Sequence, residues 1–321
     1  MMRTGRERLR VILVVAIWTL GTTAALAEEP VAVVTEIRAE RGQVQVKRVG
    51  ESEWRPTQPL LALRPGDQLR AAGEGRAVVV FTGGRGSQTV SAANSPLTVE
   101  APKGQPASEK LRGVLGGVTD FLVGRQKPLD SLPLAVREVR PPRVAILSPR
   151  DTRLLPGPVV FEWSGSNTLP YRVHLSGPQG VLWEQANLPR KPLEYPAGAP
   201  ALAPDVRYAW ELEAPGHPAQ RAEFEILRDG AARAIRGDLE LLTPAGLPGY
   251  PASSVALMRA GFLFRERLHA QARRELLQAI AADPDEPTLH LLLGQVYERI
   301  GLRELATREL IEARDLSRGR P

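Results

Sequence analysis

Leu63-Arg64-Pro65-Gly66-Asp67-Gln68-Leu69-Arg70, followed by Gly75-Arg76-Ala77-Val78-Val79-Val80-Phe81, is the stretch on which the N-terminal architecture turns. Pro65 fixes φ, and Gly66 can take the positive φ of a type II turn, so the pair reverses the chain tightly. Beyond the turn, Gln68 to Arg70 alternates apolar and polar residues, while Ala77 to Phe81 reads as a more buried strand. Working outward, Gln43-Val44-Gln45-Val46-Lys47 and Ser95-Pro96-Leu97-Thr98-Val99 repeat the period of two, with Gly73-Glu74-Gly75 and Gly83-Gly84-Arg85-Gly86-Ser87 as turns. The expectation is a small all-β unit over residues 31–100. Asp67 is read there as a turn residue accepting from nearby amides, and Trp54 as a plug of the core or edge before a ligand platform.

Val44-Gln45-Val46, Trp54-Arg55-Pro56, the Gly66-Asp67 turn, Arg76-Ala77 opening a strand and Gly86-Ser87 closing it keep an order that resembles the FecR-type domain. Gly84-Arg85-Gly86-Ser87 stands where that family has Asp-Gly-Ser. The resemblance implies a periplasmic domain and, in the iron-uptake regulators, signalling to a sigma factor. Those regulators carry a cytoplasmic segment before their membrane helix, whereas ten residues precede Val11 here, so direct sigma-factor control is not expected.

Toward the N-terminus, Arg3, Arg6, Arg8 and Arg10 precede an apolar run from Val11 to Leu20, and Ala25-Leu26-Ala27 offers small residues for a signal peptidase. Residues 1–27 are therefore expected to be a signal peptide, and the protein periplasmic or secreted. Retained instead, Val11 to Ala27 would be a membrane anchor of 17 residues, at the short limit for a span. The same segment carries half of the net charge of +6 across 321 residues. The remainder is spread out, with no basic patch interleaved with aromatics, which sets nucleic-acid binding aside. With no Cys, a disulfide scaffold, a thiol nucleophile, a Cys-ligated zinc and an iron–sulfur cluster are all excluded.

Toward the C-terminus the period changes twice. Residues 101–142 predict a short helix capped by Ser108 and then a linker broken by Pro128, Pro133, Pro141 and Pro142. Residues 143–228 hold six short apolar runs at roughly ten-residue spacing, as in a two-sheet sandwich. Phe161-Glu162-Trp163 and Tyr208-Ala209-Trp210 place aromatics on one face of their strands. With Ile146-Leu147-Ser148-Pro149 opening the unit, this is similar to immunoglobulin/fibronectin-like modules of bacterial envelope proteins.

Residues 229–318 are helical in period. Ala272 and Ala279 recur 34 positions on as Ala306 and Ala313, with Leu293-Gly294, Tyr297 and Leu310 between them. These residues resemble a pair of tetratricopeptide repeats, with Ala260 where the first repeat would carry Gly. Asp283-Pro284-Asp285 marks the break between repeats, Asp being suited to cap the next helix. Two repeats fall short of the usual minimum of about three, so a helix over 231–242 or the sandwich is expected to close the stack.

Little chemistry is visible. The four His, at 174, 217, 269 and 290, make no metal-spaced pair, and no nucleophile elbow occurs. Glu298, Glu304, Asp285 and Glu286 read as solvated helix charges. The fold class is thus multidomain β plus α, with no catalytic, cofactor-binding or metal residues assigned. The function expected is a non-enzymatic exported adaptor or scaffold that engages an envelope protein or peptide through the helical repeats, with peptidoglycan or polysaccharide binding as the alternative. Candidate partner-binding residues are Tyr297, His290 and Trp54.

Overall fold

The computed structural model describes residues 30–39, 41–82, 84–100, 108–125 and 144–319. The expected signal peptide and Pro-rich linker lie outside these residues. The protein combines helices with sheets whose strands pair antiparallel, except that Thr152–Leu154 runs parallel to its neighbour Gln220–Ile226, and the helices gather toward the C-terminal end.

Eight strands come first: β1 (Ala32–Arg38), β2 (Gly42–Lys47), β3 (Arg55–Pro56), β4 (Ala62–Leu63), β5 (Gln68–Gly73), β6 (Arg76–Phe81), β7 (Ser87–Ser91) and β8 (Leu97–Thr98). They form two sheets, ordered β4-β1-β6-β7 and β3-β2-β5-β8. Between the sheets lie Val34, Ile37, Val44, Val46, Leu69, Ala77 and Val79. Gly66 sits at φ +84° in the reversal before β5. Asp67 beside it is buried: its Oδ1 accepts the Val49 N–H at 3.0 Å and its Oδ2 the Arg64 N–H at 2.9 Å. Arg48 also donates to Oδ2, at 2.6 Å. The carboxylate thus ties two turns together, the role its sequence context suggests.

The run Ala77 to Val80 is buried on both faces because the first sheet is covered on both sides. Ala77 and Val79 face the second sheet, while Val78, Val80 and Val33 join a core with the helices. A register shift between Val34 and Glu36 inserts Thr35 into β1. Such a bulge re-aims the side chains that follow it. Thr35 and Glu36 accordingly both meet the helices, and Ile37 returns to the space between the sheets.

Helix α1 (Glu109–Gly124) follows, with the Ser108 side chain accepting the Leu111 N–H at its start. Next come β9 (Ala145–Ser148), β10 (Thr152–Leu154), β11 (Val160–Ser164), β12 (Tyr171–Gly177), β13 (Gly180–Leu188), β14 (Leu193–Glu194), β15 (Arg207–Glu213) and β16 (Gln220–Ile226). Their sheets run β10-β16-β15-β12-β13 and β14-β11-β9. Phe161 is fully buried between them, with ring centroids 4.8 Å from Trp210 and 6.0 Å from Trp183. Trp210 gives its indole N–H to the Pro149 carbonyl at 2.7 Å, so burial of this large ring leaves no orphaned donor.

Five further helices complete the chain: α2 (Asp229–Leu239), extended by a 3₁₀ turn over Glu240–Leu242, then α3 (Ala252–Arg265), α4 (His269–Ala282), α5 (Pro287–Arg299) and α6 (Arg303–Ser317). Helices α3 with α4 and α5 with α6 form two hairpins packed on each other. At Gly294 a Cβ would come within 2.8 Å of Leu310, so the close approach of α5 and α6 depends on glycine there. Arg259 caps the α2 extension by donating to the Leu239 carbonyl at 3.1 Å.

Candidate functional site

The face of α3 and α5 that repeat hairpins would leave open is covered by the chain itself. Helix α1 lies on α3, where a Cβ at Gly261 would meet Val118 and Leu122 at 3.1 Å. Phe121 packs edge-on against Phe264 at 5.2 Å, and the Arg125 guanidinium stands 4.7 and 4.6 Å from their two rings. Farther along, β1 crosses α3 and α5. The side chains of α5 from Pro287 to Tyr297 are consequently buried without a break.

Where β1 meets the hairpins, polar groups replace the apolar contacts. The Glu36 carboxylate accepts the Ser254 N–H at 3.0 Å and the Ser254 hydroxyl at 2.6 Å, and Thr35 Oγ1 lies 2.9 Å from that hydroxyl. The Ile37 N–H donates to both Glu286 oxygens, at 3.2 and 3.3 Å. Glu286 also takes the Thr288 N–H at 3.2 Å and so caps α5, with Pro287 in the first helical position. Arg38 pairs with Asp283, which accepts from Ser253 at 2.8 Å, and its Nε is 3.9 Å from Glu286. Burial pushes the Glu286 carboxyl up to about 8, against the Thr288 bonds and Arg38.

Glu286 therefore departs from its sequence reading as a solvated charge: it is fully buried, and it, not Asp285, caps the following helix. The signal available in the sequence was the pair Glu286-Pro287, since proline favours the first position of a helix and the residue before it then serves as cap. For Glu36 the signal was one carboxylate inside the run Val31 to Ile37, where every neighbour is apolar or Thr.

His290 and Tyr297 are not on an open groove. His290 is 7% exposed, with Nδ1 2.8 Å from Glu309 and Nε2 2.9 Å from the Pro284 carbonyl. Burial lowers its pKa, but the bonds to Glu309 and Pro284 outweigh that and hold it above the usual value. Tyr297 is 3% exposed and packs between the hairpins, 6.0 Å from the Arg273 guanidinium. As partner contacts both are out of reach in this conformation, because hairpin packing and the polar bonds already use them. Trp54 lies apart from them, beside the second β sheet. It is half-buried, with Arg70 4.4 Å and Lys47 5.2 Å from the ring centroid, so part of its ring surface is taken by cations.

The sandwich is fastened to the other side of the hairpins. Arg150 donates to the Ile300 carbonyl at 2.7 Å, the Arg153 N–H to the Arg267 carbonyl at 2.9 Å, and Arg273 pairs with Glu162 at 2.6 Å. His269 places Nδ1 2.6 Å from the Asp151 carbonyl, and burial holds its pKa below the usual value. At the far end of the sandwich an open cleft of about 450 Å³ is lined by Tyr171, Arg172, Asn187, Glu213 and His217. Among the described residues no group of three or more His, Asp or Glu is arranged to hold a metal ion, and no helix is long and apolar enough to cross a membrane. No protein-family model matches the chain, and no curated protein matches it.

Proposed function

We propose that the protein is a non-enzymatic exported scaffold of the bacterial envelope that serves protein–protein interaction. In this reading a FecR-like β unit spans 31–100, a fibronectin-like sandwich 143–228 and tetratricopeptide-like hairpins 229–318. The observation that carries it is the double fastening of the hairpins: β1 and α1 on one side, the sandwich on the other. A module held on both sides joins two β units at fixed orientation and leaves the outer faces of α4 and α6 for a partner.

Arg274 and Leu277 on α4 and Thr307 on α6 are exposed. A photoreactive residue at each, in the full chain in its native envelope, is expected to give one defined adduct. Absence of any adduct at all three positions overturns the adaptor reading.

A second reading, binding of an envelope polysaccharide through the FecR-like unit, is favoured by one observation. Trp54, Arg70 and Lys47 stand together on the side of that unit away from the helices.

A further inference from the structure

The outer face of the sheet β3-β2-β5-β8 is polar and nearly free of acid. Period-two alternation places Gln45 and Lys47 of β2 on this face, beside Gln68 and Arg70 of β5, and Thr98 of β8 pairs with Gln68. Arg70 is held in two ways: its guanidinium stacks 4.4 Å from the Trp54 centroid, and its Nε donates to Gln45 Oε1 at 2.8 Å. Among the described residues neither Arg70 nor Lys47 has a carboxylate within ion-pair distance. Other cations of the same unit are engaged, Arg41 with Glu74, Arg48 with Asp67 and Arg55 with Glu51.

A guanidinium fixed at Nε and stacked on an indole has lost its rotamer freedom beforehand, and it keeps the paired Nη donors that match a planar carboxylate. Lys47, diagonal to it across the strand pair, supplies a second charge. The amides of Gln45 and Gln68 add donors and acceptors suited to sugar hydroxyl groups. Two cations are too few for a lipid surface, which draws clusters of about four to eight, or for a nucleic-acid backbone, where affinity grows with each phosphate neutralised.

We propose that this face binds the carboxylate-bearing glycopeptide polymer of the cell wall, with Arg70 taking a carboxylate, Lys47 supporting it and Trp54 positioning Arg70. The proposal rests on the polysaccharide reading above and gives it a ligand chemistry.

The test is co-sedimentation of the full chain with purified peptidoglycan, with the same material after amidation of its carboxyl groups, and with anionic phospholipid vesicles. Wild type is expected to bind native peptidoglycan, and Arg70→Gln and carboxyl amidation are each expected to weaken binding about ten- to hundredfold, the worth of one charged hydrogen-bonded contact. Arg70→Lys, which keeps the charge but loses the fork, is expected to recover only part of that loss. Unchanged thermal unfolding of the variants shows that the loss is one of contact. If wild type fails to bind native peptidoglycan, the polysaccharide reading and this site fall together. If wild type binds but Arg70→Gln and amidation change nothing, the reading stands and the site is wrong. Equal retention on vesicles overturns the cell-wall polymer as the source of the anion.

Discussion

Replacing Glu286 with Gln tests whether the contact between β1 and the hairpins is held by a protonated carboxyl. Glu286 is fully buried, and burial raises its carboxyl from 4.5 to about 8; Thr288 and Arg38 oppose the rise and Glu36 adds to it. Because the folded value exceeds the unfolded one, between the two values the folded chain keeps a proton that the unfolded chain has released. Stability from this group is therefore complete below the unfolded value and is lost as pH rises toward the folded one. At ~1.4 kcal/mol per pH unit the whole effect is bounded on the order of 5 kcal/mol. Glutamine keeps the neutral shape, can accept from Ile37 and Thr288, and has no proton to lose. Urea unfolding of both proteins from about pH 5 to about pH 8 is expected to show the variant gaining on wild type by ~1.4 kcal/mol per pH unit. Two buried histidines titrate nearby: His290 is raised above its usual value despite burial, and His269 is lowered by it. Both are common to the two proteins, so the difference isolates Glu286. A constant offset between the two stability curves across this range would refute a protonated clasp.

Three other substitutions probe the remaining joints. Gly261→Leu drives a side chain into Val118 and Leu122, where even a Cβ sits at 3.1 Å; it should cost about 1–3 kcal/mol and raise protease cleavage in α1, and unchanged cleavage would mean that α1 does not depend on that contact. Asp67→Ala leaves the Val49 and Arg64 amides and the Arg48 guanidinium without their acceptor. It should cost about 3 kcal/mol and speed hydrogen exchange at both amides; native protection there would show that the turns hold without the carboxylate. Phe161→Ala empties the centre of the aromatic cluster with Trp183 and Trp210. A loss of about 3–5 kcal/mol is expected from denaturant unfolding, and a loss below about 1 kcal/mol would show that the sandwich does not depend on this ring.

Local order was legible in the sequence wherever one face of an element decides its period. Ser108 announced the start of α1, and the aromatics at Phe161, Trp163, Tyr208 and Trp210 announced strands with a shared buried face; all four are buried. The helical period of the C-terminal region was legible, and Ala272 and Ala306, 34 positions apart, are both buried, whereas Ala279 is only partly so. Missed were short strands with no room for a period, β3, β4, β10 and β14 among them, and the contacts between units. Glu36 reaches Ser254 across 218 positions, and Ile37 reaches Glu286 across 249. No local pattern encodes such a pairing, because it depends on a bulge in β1 that re-aims one side chain and on a helix cap that happens to face it. The candidate residues show the same limit: Tyr297 and His290 were read as partner contacts, and both are buried, Tyr297 in the hairpin packing and His290 by its bonds to Glu309 and Pro284, which only the third dimension reveals.

The covering of α3 and α5 also answers a question of stability posed by a pair of helical hairpins. Two packed hairpins bury the apolar surface between them and leave their outward apolar surface to be covered by other layers. Here α1 and the outer face of the first sheet supply one missing layer, through Val33, Val78, Val80, Val118 and Leu122, in the same core as Phe262, Leu292 and Val296. The sandwich and α2 supply another, through Ala270, Arg273 and Arg259. A partner peptide entering along α5 would have to displace β1, breaking the bonds of Glu36, Ile37 and Arg38 together and exposing an apolar face that belongs to the β unit as much as to the helices. Surfaces that cost no such opening lie outside: the outer sides of α4 and α6, and the polar sheet face that carries Arg70. Binding is therefore expected on the periphery of a closed body, with the helical hairpins acting as its joint.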